Sequence, residues 1–370
     1  MVKNSKIPLA DPVFNKEMKK AVIDAYQNER WLLGESVYKF EEEFAKYCET
    51  DYAISTNSGT TALHLSLIAT GINNLNEVIT TPASFVATAN CIQYVGAKPT
   101  FADINILNYT IDPKQIAKNI IQKTKAIIPV HLYGYPSNMD EIKDVIGHKQ
   151  IFVIEDACQA HGAEFFGKKV GAIGDIGCFS FYPSKNITVC GDGGMITTNN
   201  EKIAKILIKL RDCGRVSKYV HDVIGYTARL NTANAAIGRI QLKYLDIWNK
   251  KRRKNAQRYS KILVNIPELI LPPCEEKNIK PAFYQYVIRT KKRDLLKDYL
   301  NKHNIECSIN YPLPIHLQPI YKKLFNYKEG MYPNSELLSD TCLSIPMHQS
   351  LDTEQITFIG ETIKNFMNIY

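Results

Sequence analysis

Hydrophobic residues between positions 52 and 200 occur in short continuous runs, separated by stretches whose apolar positions recur with helical spacing. The runs are residues 52–55, 77–81, 126–130, 151–155, 178–181 and 195–198. Runs that are apolar at consecutive positions, rather than at alternate ones, are typical of strands buried on both faces. Their alternation with helices predicts an α/β fold with a mostly parallel central sheet covered by helices.

Longer patterns organise the rest of the chain. Residues 36–47 form an amphipathic helical pattern, and residues 234–259 read as one long helix. From about residue 282 the pattern changes to a strand, a helix and proline-rich loops. We therefore predict a large domain over residues 1–245 and a smaller α+β domain over residues 246–370.

Polar residues stand at the carboxyl end of several of the predicted strands. They are residues 55–58, His131, Glu155, Asp156 and Ser180. In open α/β sheets this edge is where ligands bind. The sequence therefore predicts a candidate site at the carboxyl edge of the sheet.

The composition of the 370-residue chain is that of an ordinary globular protein, with 45% hydrophobic and 22% charged residues. This excludes disordered, collagenous and coiled-coil chains. No apolar stretch is long enough to span a bilayer, and the N-terminus lacks the apolar core of a signal peptide, so we expect a cytoplasmic protein. The nine cysteines are widely spread without a Cys-x-x-Cys pair, which predicts reduced thiols and no structural metal site.

The net charge of +9 is compatible with an anionic small substrate, a nucleic acid or a membrane surface. Local support for a nucleic acid comes from the basic run Lys-Lys-Arg-Arg-Lys at residues 250–254. No aromatic residues are interleaved with it, and no helix-turn-helix or zinc pattern accompanies it. We interpret the run as a solvated helix face and expect no nucleic-acid or membrane partner.

Three motifs carry candidate chemistry. Gly59 and Thr60 lead from a strand end into a helix, where anions bind, although Ser/Thr-Gly before a helix is also an ordinary cap. Asp156 ends a hydrophobic strand, where a carboxylate can pair with a protonated ring nitrogen, bind a metal or cap a helix. Lys185 lies between an apolar strand that ends at Ser180 and a Gly-rich turn, surroundings that suit an amine nucleophile. Together and in this order they match a pyridoxal-phosphate site.

The chain resembles the DegT/DnrJ/EryC1/StrS family of pyridoxal-phosphate-dependent nucleotide-sugar aminotransferases, from about Pro8 to its last predicted helix. The resemblance is carried by residues 31–34, 58–64, 82–90, 130–134, 155–162, 179–186, 225–238 and 311–318. It implies the fold-type-I architecture, which is that of aspartate aminotransferase. This architecture has a mostly parallel central sheet and a smaller C-terminal α+β domain.

The resemblance also implies a role for each matched residue. Lys185 would form a Schiff base with pyridoxal 5'-phosphate and afterwards carry a proton between the cofactor and the substrate carbon. Asp156 would pair with the pyridinium nitrogen, and Gln159 would contact the phenolic oxygen. Phe85 would stack on the ring, unless it is an ordinary core aromatic. The phosphate would be held by Gly59, Thr60 and Ser180.

Residues 225–230 resemble a segment that in this family enters the active site of the partner subunit. This implies a homodimer with active sites at the subunit interface. Thr227 stands where the family commonly has Asn, and its hydroxyl would still donate to the phosphate. Arg229 would meet a substrate anion or form a surface ion pair.

Three further residues lie in matched stretches or beside them. Asn310 stands where many relatives have His, whereas His316 matches the family pattern. Each would contact the sugar or only order a loop. Asp192 replaces the commoner Glu before a Gly-Gly pair, and we expect this change to be structural.

The activity that the resemblance implies is transfer of an amino group from an amino acid, with L-glutamate favoured, to a nucleotide-linked deoxy sugar. The acceptor would be a 4-keto-6-deoxy sugar or, less favoured, a 3-keto sugar. Pyridoxamine phosphate would carry the nitrogen between two half-reactions. The related sugar dehydratases have His in place of Lys185, which argues against dehydration. The alternatives are a keto-cyclitol acceptor and a non-catalytic regulatory protein on the same fold.

Overall fold

The structure is a computed structural model that describes residues 6–369. Its α-helices are α1 (Lys16–Asn28), α2 (Glu35–Cys48), α3 (Gly59–Ala69), α4 (Ala87–Tyr94), α5 (Pro113–Asn119), α6 (Met139–Ile146), α7 (Glu201–Arg211), α8 (Thr232–Leu263), α9 (Arg293–Lys302), α10 (Pro319–Phe325), α11 (Pro333–Thr341) and α12 (Thr353–Ile369). Its strands are β1 (Tyr52–Thr56), β2 (Glu77–Thr80), β3 (Lys98–Phe101), β4 (Thr124–Ile127), β5 (Phe152–Asp156), β6 (Glu164–Phe165), β7 (Lys168–Lys169), β8 (Ile176–Ser180), β9 (Gly194–Thr198), β10 (Arg215–Ser217), β11 (Val220–His221), β12 (Ile279–Lys280), β13 (Tyr286–Arg289) and β14 (Cys342–Ile345). Residues 1–5, part of the stretch in which no signal peptide is expected, lie outside the described residues.

Seven strands form the central sheet in the order β1-β9-β8-β5-β4-β2-β3. The pairs from β8 to β3 are all parallel, whereas β9 pairs antiparallel with both β1 and β8. Within this sheet, six strands therefore share one direction and β9 opposes them. The six predicted runs are all strands of the sheet, and β3 is a seventh strand that the sequence analysis did not predict.

Both faces of the sheet are buried. The evidence is that neighbouring residues of one strand pack into different hydrophobic clusters. Val153 packs in the cluster that includes α2 and the first half of α8, whereas Ile154 packs in the cluster that includes α3 and α7. Burial on both faces explains why the runs are continuously apolar. It confirms the predicted α/β fold with a mostly parallel sheet.

A third hydrophobic cluster lies in the C-terminal part of the chain, around the antiparallel pair β13–β14 and helices α9 and α12. Helix α8 contributes to two cores, because Leu245 packs in the cluster with α2 and Tyr259 packs in the C-terminal cluster. The predicted domain boundary between residues 245 and 246 falls inside this helix. The division of the chain into two domains stays a prediction.

The basic run at 250–254 lies on α8 and is not a uniformly solvated face. Its three lysines are exposed, but Arg252 is only 2% exposed. The guanidinium donates hydrogen bonds, at 2.8–3.4 Å, to the carbonyl oxygens of Phe283, Tyr284 and Met347 and to Oε1 of Gln349. Burial lowers the pKa of Arg252 to about 10. The expectation of a solvated face is therefore wrong at this position, where the side chain satisfies buried backbone carbonyls.

None of the helices between residues 6 and 369 combines the length and the apolar character needed to cross a membrane. The nine cysteines all fall in this part of the chain, and each carries a free thiol.

Candidate active site

A cavity of about 560 Å³ lies where β1, β5 and β8 end. The predicted site residues that line it are Gly59, Thr60, Phe85, Asp156, Gln159, Ser180, Lys185 and Asn310. The predicted site residues that do not line it are Thr227, Arg229 and His316. The carboxyl edge of the sheet is thus the place where most of the predicted site comes together.

The topology of the sheet explains why these residues line the same cavity. Strands β1, β5 and β8 share one direction, so their carboxyl ends lie at one edge. Gly194, the first residue of the opposing strand β9, pairs with both Thr56 and Ser180. The turn from β8 to β9 therefore lies at the same edge, and it brings Lys185 and Asp192 to the cavity.

Glu155 and Asp156 are consecutive on β5, and consecutive residues of a strand point to opposite faces. Asp156 lines the cavity and is 5% exposed. Its Oδ2 accepts a hydrogen bond from Thr88 Oγ1 at 2.8 Å, and its Oδ1 accepts one from the backbone N–H of Cys158 at 3.2 Å. A carboxylate has lone pairs beyond the two that accept these hydrogen bonds, so Asp156 can still accept a hydrogen bond from a group bound in the cavity.

Glu155 is fully buried and serves the fold. Its carboxylate accepts hydrogen bonds, at 2.6–2.8 Å, from the backbone N–H groups of Gly171, Ile173 and Gly174. His131 Nε2 lies 2.9 Å from the same carboxylate, and the N–H of Ser137 donates to His131 Nδ1, so Nε2 carries the proton. Burial alone would raise the pKa of Glu155, but the hydrogen bonds from His131 and the backbone amides lower it.

Lys185 is half-buried and lines the cavity from the turn between β8 and β9. Its Nζ lies 4.2 Å from the centroid of the Tyr284 ring. The Tyr284 hydroxyl forms a hydrogen bond of 2.9 Å with Ser184 Oγ. The reactive amine that the sequence predicts therefore faces an aromatic ring from the C-terminal part of the chain.

The N-terminus of α3 opens into the cavity. Ser58 caps the helix through its side chain, and the first helical residues are Gly59 and Thr60. Backbone N–H groups in a first helical turn have no partner inside the helix, and together with the helix dipole they attract anions. A Cβ atom at Gly59 would lie 2.7 Å from Ser180 Cβ and 2.8 Å from Cys158 Sγ, so glycine permits this close approach to β8.

Aromatic and amide side chains form the opposite wall. Gln159 Oε1 accepts a hydrogen bond from the N–H of Tyr133 at 2.8 Å, and its Nε2 lies 3.4 Å from the Tyr311 hydroxyl. Phe85 is 53% exposed, and its ring centroid lies 5.8 Å from that of Tyr311. This exposure excludes the alternative in which Phe85 is an ordinary core aromatic.

Asn310 belongs to a chain of uncharged hydrogen bonds. Its Oδ1 accepts from Ser308 Oγ at 3.2 Å, and its Nδ2 donates to Ser344 Oγ at 3.4 Å. Ser344 in turn donates to Gln285 Oε1 at 3.0 Å. Because Ser308, Asn310 and Gln285 all line the cavity, the wall contributed by the C-terminal part is polar but uncharged.

Thr227 and Arg229 lie outside the cavity of their own chain. Thr227 is exposed, and its hydroxyl lies 3.4 Å from Cys213 Sγ. Arg229 Nη1 donates to Asp212 Oδ1 at 2.7 Å, so the ion pair considered in the sequence analysis is formed. The contacts of these residues with phosphate and with a substrate anion stay predictions.

His316 is fully buried beneath a loop. Its Nε2 lies 2.9 Å from Glu336 Oε1, and its ring packs 4.7 Å from that of Tyr332. Burial lowers the pKa of His316, although the Glu336 carboxylate opposes this shift. The position favours the alternative in which His316 orders a loop over contact with a sugar.

Several residues that the sequence analysis did not assign to the site also line the cavity: Leu9, Ala10, Tyr182, Tyr284, Gln285, Ser308 and Tyr311. Leu9 and Ala10 reach it because the N-terminal segment pairs with the C-terminal part at Ile7 and Ile305, a contact that no local pattern shows. Tyr311 lies in a matched stretch, so the resemblance could have indicated it.

Asp192 was expected to be a structural replacement, but it lines the cavity. It is exposed and makes no hydrogen bond or ion pair with any residue between positions 6 and 369. The structure therefore gives no support for a purely structural role.

The residues of the cavity fit pyridoxal 5'-phosphate. A lysine amine, a buried carboxylate with free lone pairs and an open helix N-terminus line one cavity, and these groups suit an aldehyde, a ring nitrogen and a phosphate. The glycine at the helix N-terminus leaves no Cβ between the backbone and the neighbouring strand. The exposed ring of Phe85 offers a stacking surface.

Known structures share this fold. The crystal structure of DesV from S. venezuelae is 34% identical in sequence, covers 98% of this chain and 99% of its own, and superposes with a TM-score of 0.95. The fold and the site together define a pyridoxal-phosphate-dependent aminotransferase of fold type I.

The model of the DegT/DnrJ/EryC1/StrS aminotransferase family matches residues 12–364. The chain belongs to this family. A "Pleiotropic regulatory protein" of Geobacillus stearothermophilus is 40% identical over 95% of this chain and 94% of its own length. A "dTDP-3-amino-3,4,6-trideoxy-alpha-D-glucose transaminase" of Streptomyces venezuelae is 35% identical over 95% of this chain and 92% of its own.

Proposed function

We propose that this enzyme transfers an amino group from L-glutamate to a keto group of a nucleotide-linked deoxy sugar. The observation that carries the proposal is that Lys185, Asp156 and the N-terminus of α3 line the same cavity. The relative named as a dTDP-amino-sugar transaminase supports the sugar acceptor. The favoured donor follows from the family resemblance.

Bound in this cavity, pyridoxal phosphate supplies an electron sink for the charge left when a proton leaves the substrate carbon. Lys185 is the residue whose amine would take up that proton and return it. Asp156 would place a negative charge against the ring nitrogen and keep that nitrogen protonated. Its hydrogen bonds to Thr88 and Cys158 hold the carboxylate in one orientation for this purpose.

The remaining cavity residues would bind and orient. The backbone N–H groups of Gly59 and Thr60 would hold the phosphate, with the hydroxyl of Ser180 beside them. Phe85 would cover one face of the ring. Gln159, whose side chain is oriented by the backbone of Tyr133, would donate to the phenolic oxygen.

The keto group is proposed at carbon 3 or carbon 4 of the sugar. The 35% identical relative is named for a 3-amino sugar, which supports carbon 3. The family resemblance favours a 4-keto-6-deoxy sugar. Incubation with each type of keto sugar, followed by NMR of the amino product, separates the two. A keto-cyclitol acceptor would be indicated if free nucleoside diphosphates did not inhibit the enzyme.

We further propose that the enzyme is a homodimer in which residues 225–230 enter the cavity of the partner. Thr227 is exposed at the surface of its own chain, beside Ile224, which is 89% exposed. Tyr219, Val220 and Val223 are exposed as well, and a group of exposed apolar side chains favours burial against another surface. Thr227 would then donate to the partner's bound phosphate, and Arg229 would lie near the partner's substrate.

The visible absorption spectrum tests the proposed activity. We expect purified protein with pyridoxal phosphate to show a Schiff-base band that disappears on addition of L-glutamate. Lys185→Ala should lose the band and all turnover while staying folded. Lys169→Ala is a matched control, because Lys169 lies outside the cavity, over the ring of Tyr47. Normal turnover by Lys185→Ala would refute the assignment of the amine, and a wild-type protein without the band would favour the regulatory alternative.

A further inference from the structure

We propose that Tyr284 is a positioning residue that holds the Lys185 side chain in the cavity when its amine is not covalently engaged. This rests on the proposed function only in taking Lys185 as the reactive amine. Tyr284 precedes β13 in the C-terminal part of the chain, far in sequence from the turn that carries Lys185.

The contact has the geometry of a cation–π interaction. Nζ of Lys185 lies 4.2 Å from the centroid of the Tyr284 ring, inside the distance of about 6 Å at which a ring face attracts an ammonium group. Lys185 forms no ion pair with any residue of the described chain, 6–369. The ring face is therefore the contact that holds the amine.

Tyr284 is held through both its hydroxyl and its backbone. Its hydroxyl is hydrogen-bonded to Ser184 Oγ, one residue before Lys185, at 2.9 Å. Its backbone carbonyl accepts a hydrogen bond from the buried Arg252 guanidinium at 3.4 Å, and the carbonyl of Phe283 accepts another at 3.2 Å. The position of the ring is thus set by α8 and by the turn that also carries the lysine.

An aromatic face suits a lysine that must be released in every cycle. A carboxylate in the same place would hold the ammonium by a charge-assisted hydrogen bond and keep it paired. A ring face attracts the ammonium without forming a hydrogen bond to it. It also confines a side chain with four rotatable carbon–carbon bonds, whose freedom would otherwise take the amine away from the reacting atoms.

The test is trace acetylation of the full-length chain, stripped of cofactor, with acetic anhydride at neutral pH, followed by mass spectrometry of each lysine. In Tyr284→Leu we expect Lys185 to be acetylated faster by roughly two- to fivefold, the range that a partly exposed cation–π contact supplies. Tyr284→Phe keeps the ring face but loses the hydrogen bond to Ser184 Oγ, so Lys185 should be acetylated more slowly in it than in Tyr284→Leu. Lys169, which lies 4.3 Å from the ring centroid of Tyr47, is the internal control in every sample.

Tyr182→Leu is the matched control variant, because Tyr182 also lines the cavity but makes no cation–π contact with Lys185. Equal labelling of Lys185 in Tyr284→Leu and the wild type would overturn the proposal. So would labelling of Lys185 in Tyr284→Phe as fast as in Tyr284→Leu, because the ring face would then contribute nothing to holding the lysine. If Tyr284→Leu does not fold, Tyr284→Gln, which also lacks the ring, takes its place.

Failure of this proposal can be told apart from failure of the proposed function. Acetylation rates report the placement of Tyr284 whether or not the protein transfers amino groups. The Schiff-base band and its response to glutamate report the activity whether or not Tyr284 contacts Lys185.

Discussion

His161 is a buried histidine packed against two aromatic rings, with centroids 5.5 Å from Phe179 and 5.8 Å from Phe181. Burial lowers its pKa to about 3, and the positive charges of Lys185 and Arg252 act in the same direction, while the backbone of Ser180 opposes them. Its ordinary pKa in an unfolded chain is 6.5. His161 is therefore neutral in the folded protein at any pH at which the enzyme would work.

This difference predicts how stability depends on pH. Between pH 6.5 and about 3 the unfolded chain binds a proton at His161 that the folded chain does not, so acid favours unfolding. The slope approaches about 1.4 kcal/mol per pH unit. His161→Phe should flatten the free energy of unfolding against pH in this window, as measured by urea denaturation. Equal slopes for His161→Phe and the wild type would contradict the prediction.

At the scale of single residues, the sequence indicates candidate site residues where a charged side chain follows a run of apolar residues. Asp156 and Lys185 follow apolar strands, and this position alone predicts that they lie at one edge of the sheet. Tyr284 could not be predicted, because it is about a hundred residues from Lys185 in the sequence and its backbone is held by a hydrogen bond from Arg252. That arginine appeared in the sequence as one of five similar charges.

At the scale of elements, the first turn of α3 allows a direct test of the proposed phosphate site. A Cβ atom at Gly59 would collide with Ser180 Cβ at 2.7 Å, so Gly59→Ala must displace the helix N-terminus from β8. We expect the affinity for pyridoxal phosphate to fall by about tenfold, which corresponds to ~1.4 kcal/mol. Titration of the Schiff-base band measures this.

Gly360→Ala is the control, because it introduces a similar steric clash away from the candidate active site. A Cβ atom there would lie 2.6 Å from Ile262 Cγ2, in the C-terminal core. This variant should unfold at lower temperature but bind the cofactor normally. If both variants bound the cofactor equally well, the proposed phosphate site would have to lie elsewhere.

Elements were predicted well where one physical signal dominates. Continuous apolar runs locate β1, β2, β4, β5, β8 and β9, because burial on both faces favours apolar residues at consecutive positions. The antiparallel direction of β9 has no such signal, since a buried strand has the same composition in either direction. β3 was missed because Lys98 and Pro99 interrupt its apolar pattern.

For the whole molecule, the proposed homodimer with active sites at the subunit interface gives a prediction about mixed dimers. A chain with Lys185→Ala and a chain with Arg229→Ala would each be impaired alone. If Arg229 serves the partner's cavity, a dimer of the two variants has one intact site. When equal amounts of the two variants are mixed and their subunits exchange, about half of the dimers are mixed, so roughly a quarter of wild-type turnover should return. A mixture of Lys185→Ala with Asp156→Asn should restore nothing, because both residues line the cavity of their own chain. Absence of recovery in the first mixture, with dimers present, would contradict the proposal that Arg229 serves the partner's cavity.

The architecture of the whole molecule was predicted at the level of the sheet and its helical layers. Its division into units was harder, because α8 passes from one core to the other without a break at residue 245. Hydrophobic periodicity reports that a helix is buried, but not which core it is buried in.

The single buried arginine in the basic run has a practical consequence for altering the surface of this protein. Engineers who reduce positive charge to improve solubility or crystal growth usually treat such a run as one replaceable block. Here Lys250, Lys251 and Lys254 are exposed, and exchanging them for neutral residues removes charge at little structural cost. Replacement of Arg252 would leave three backbone carbonyls without this donor, one of them that of Tyr284. A charge-reduced version of this protein should therefore retain Arg252 and replace only the three lysines.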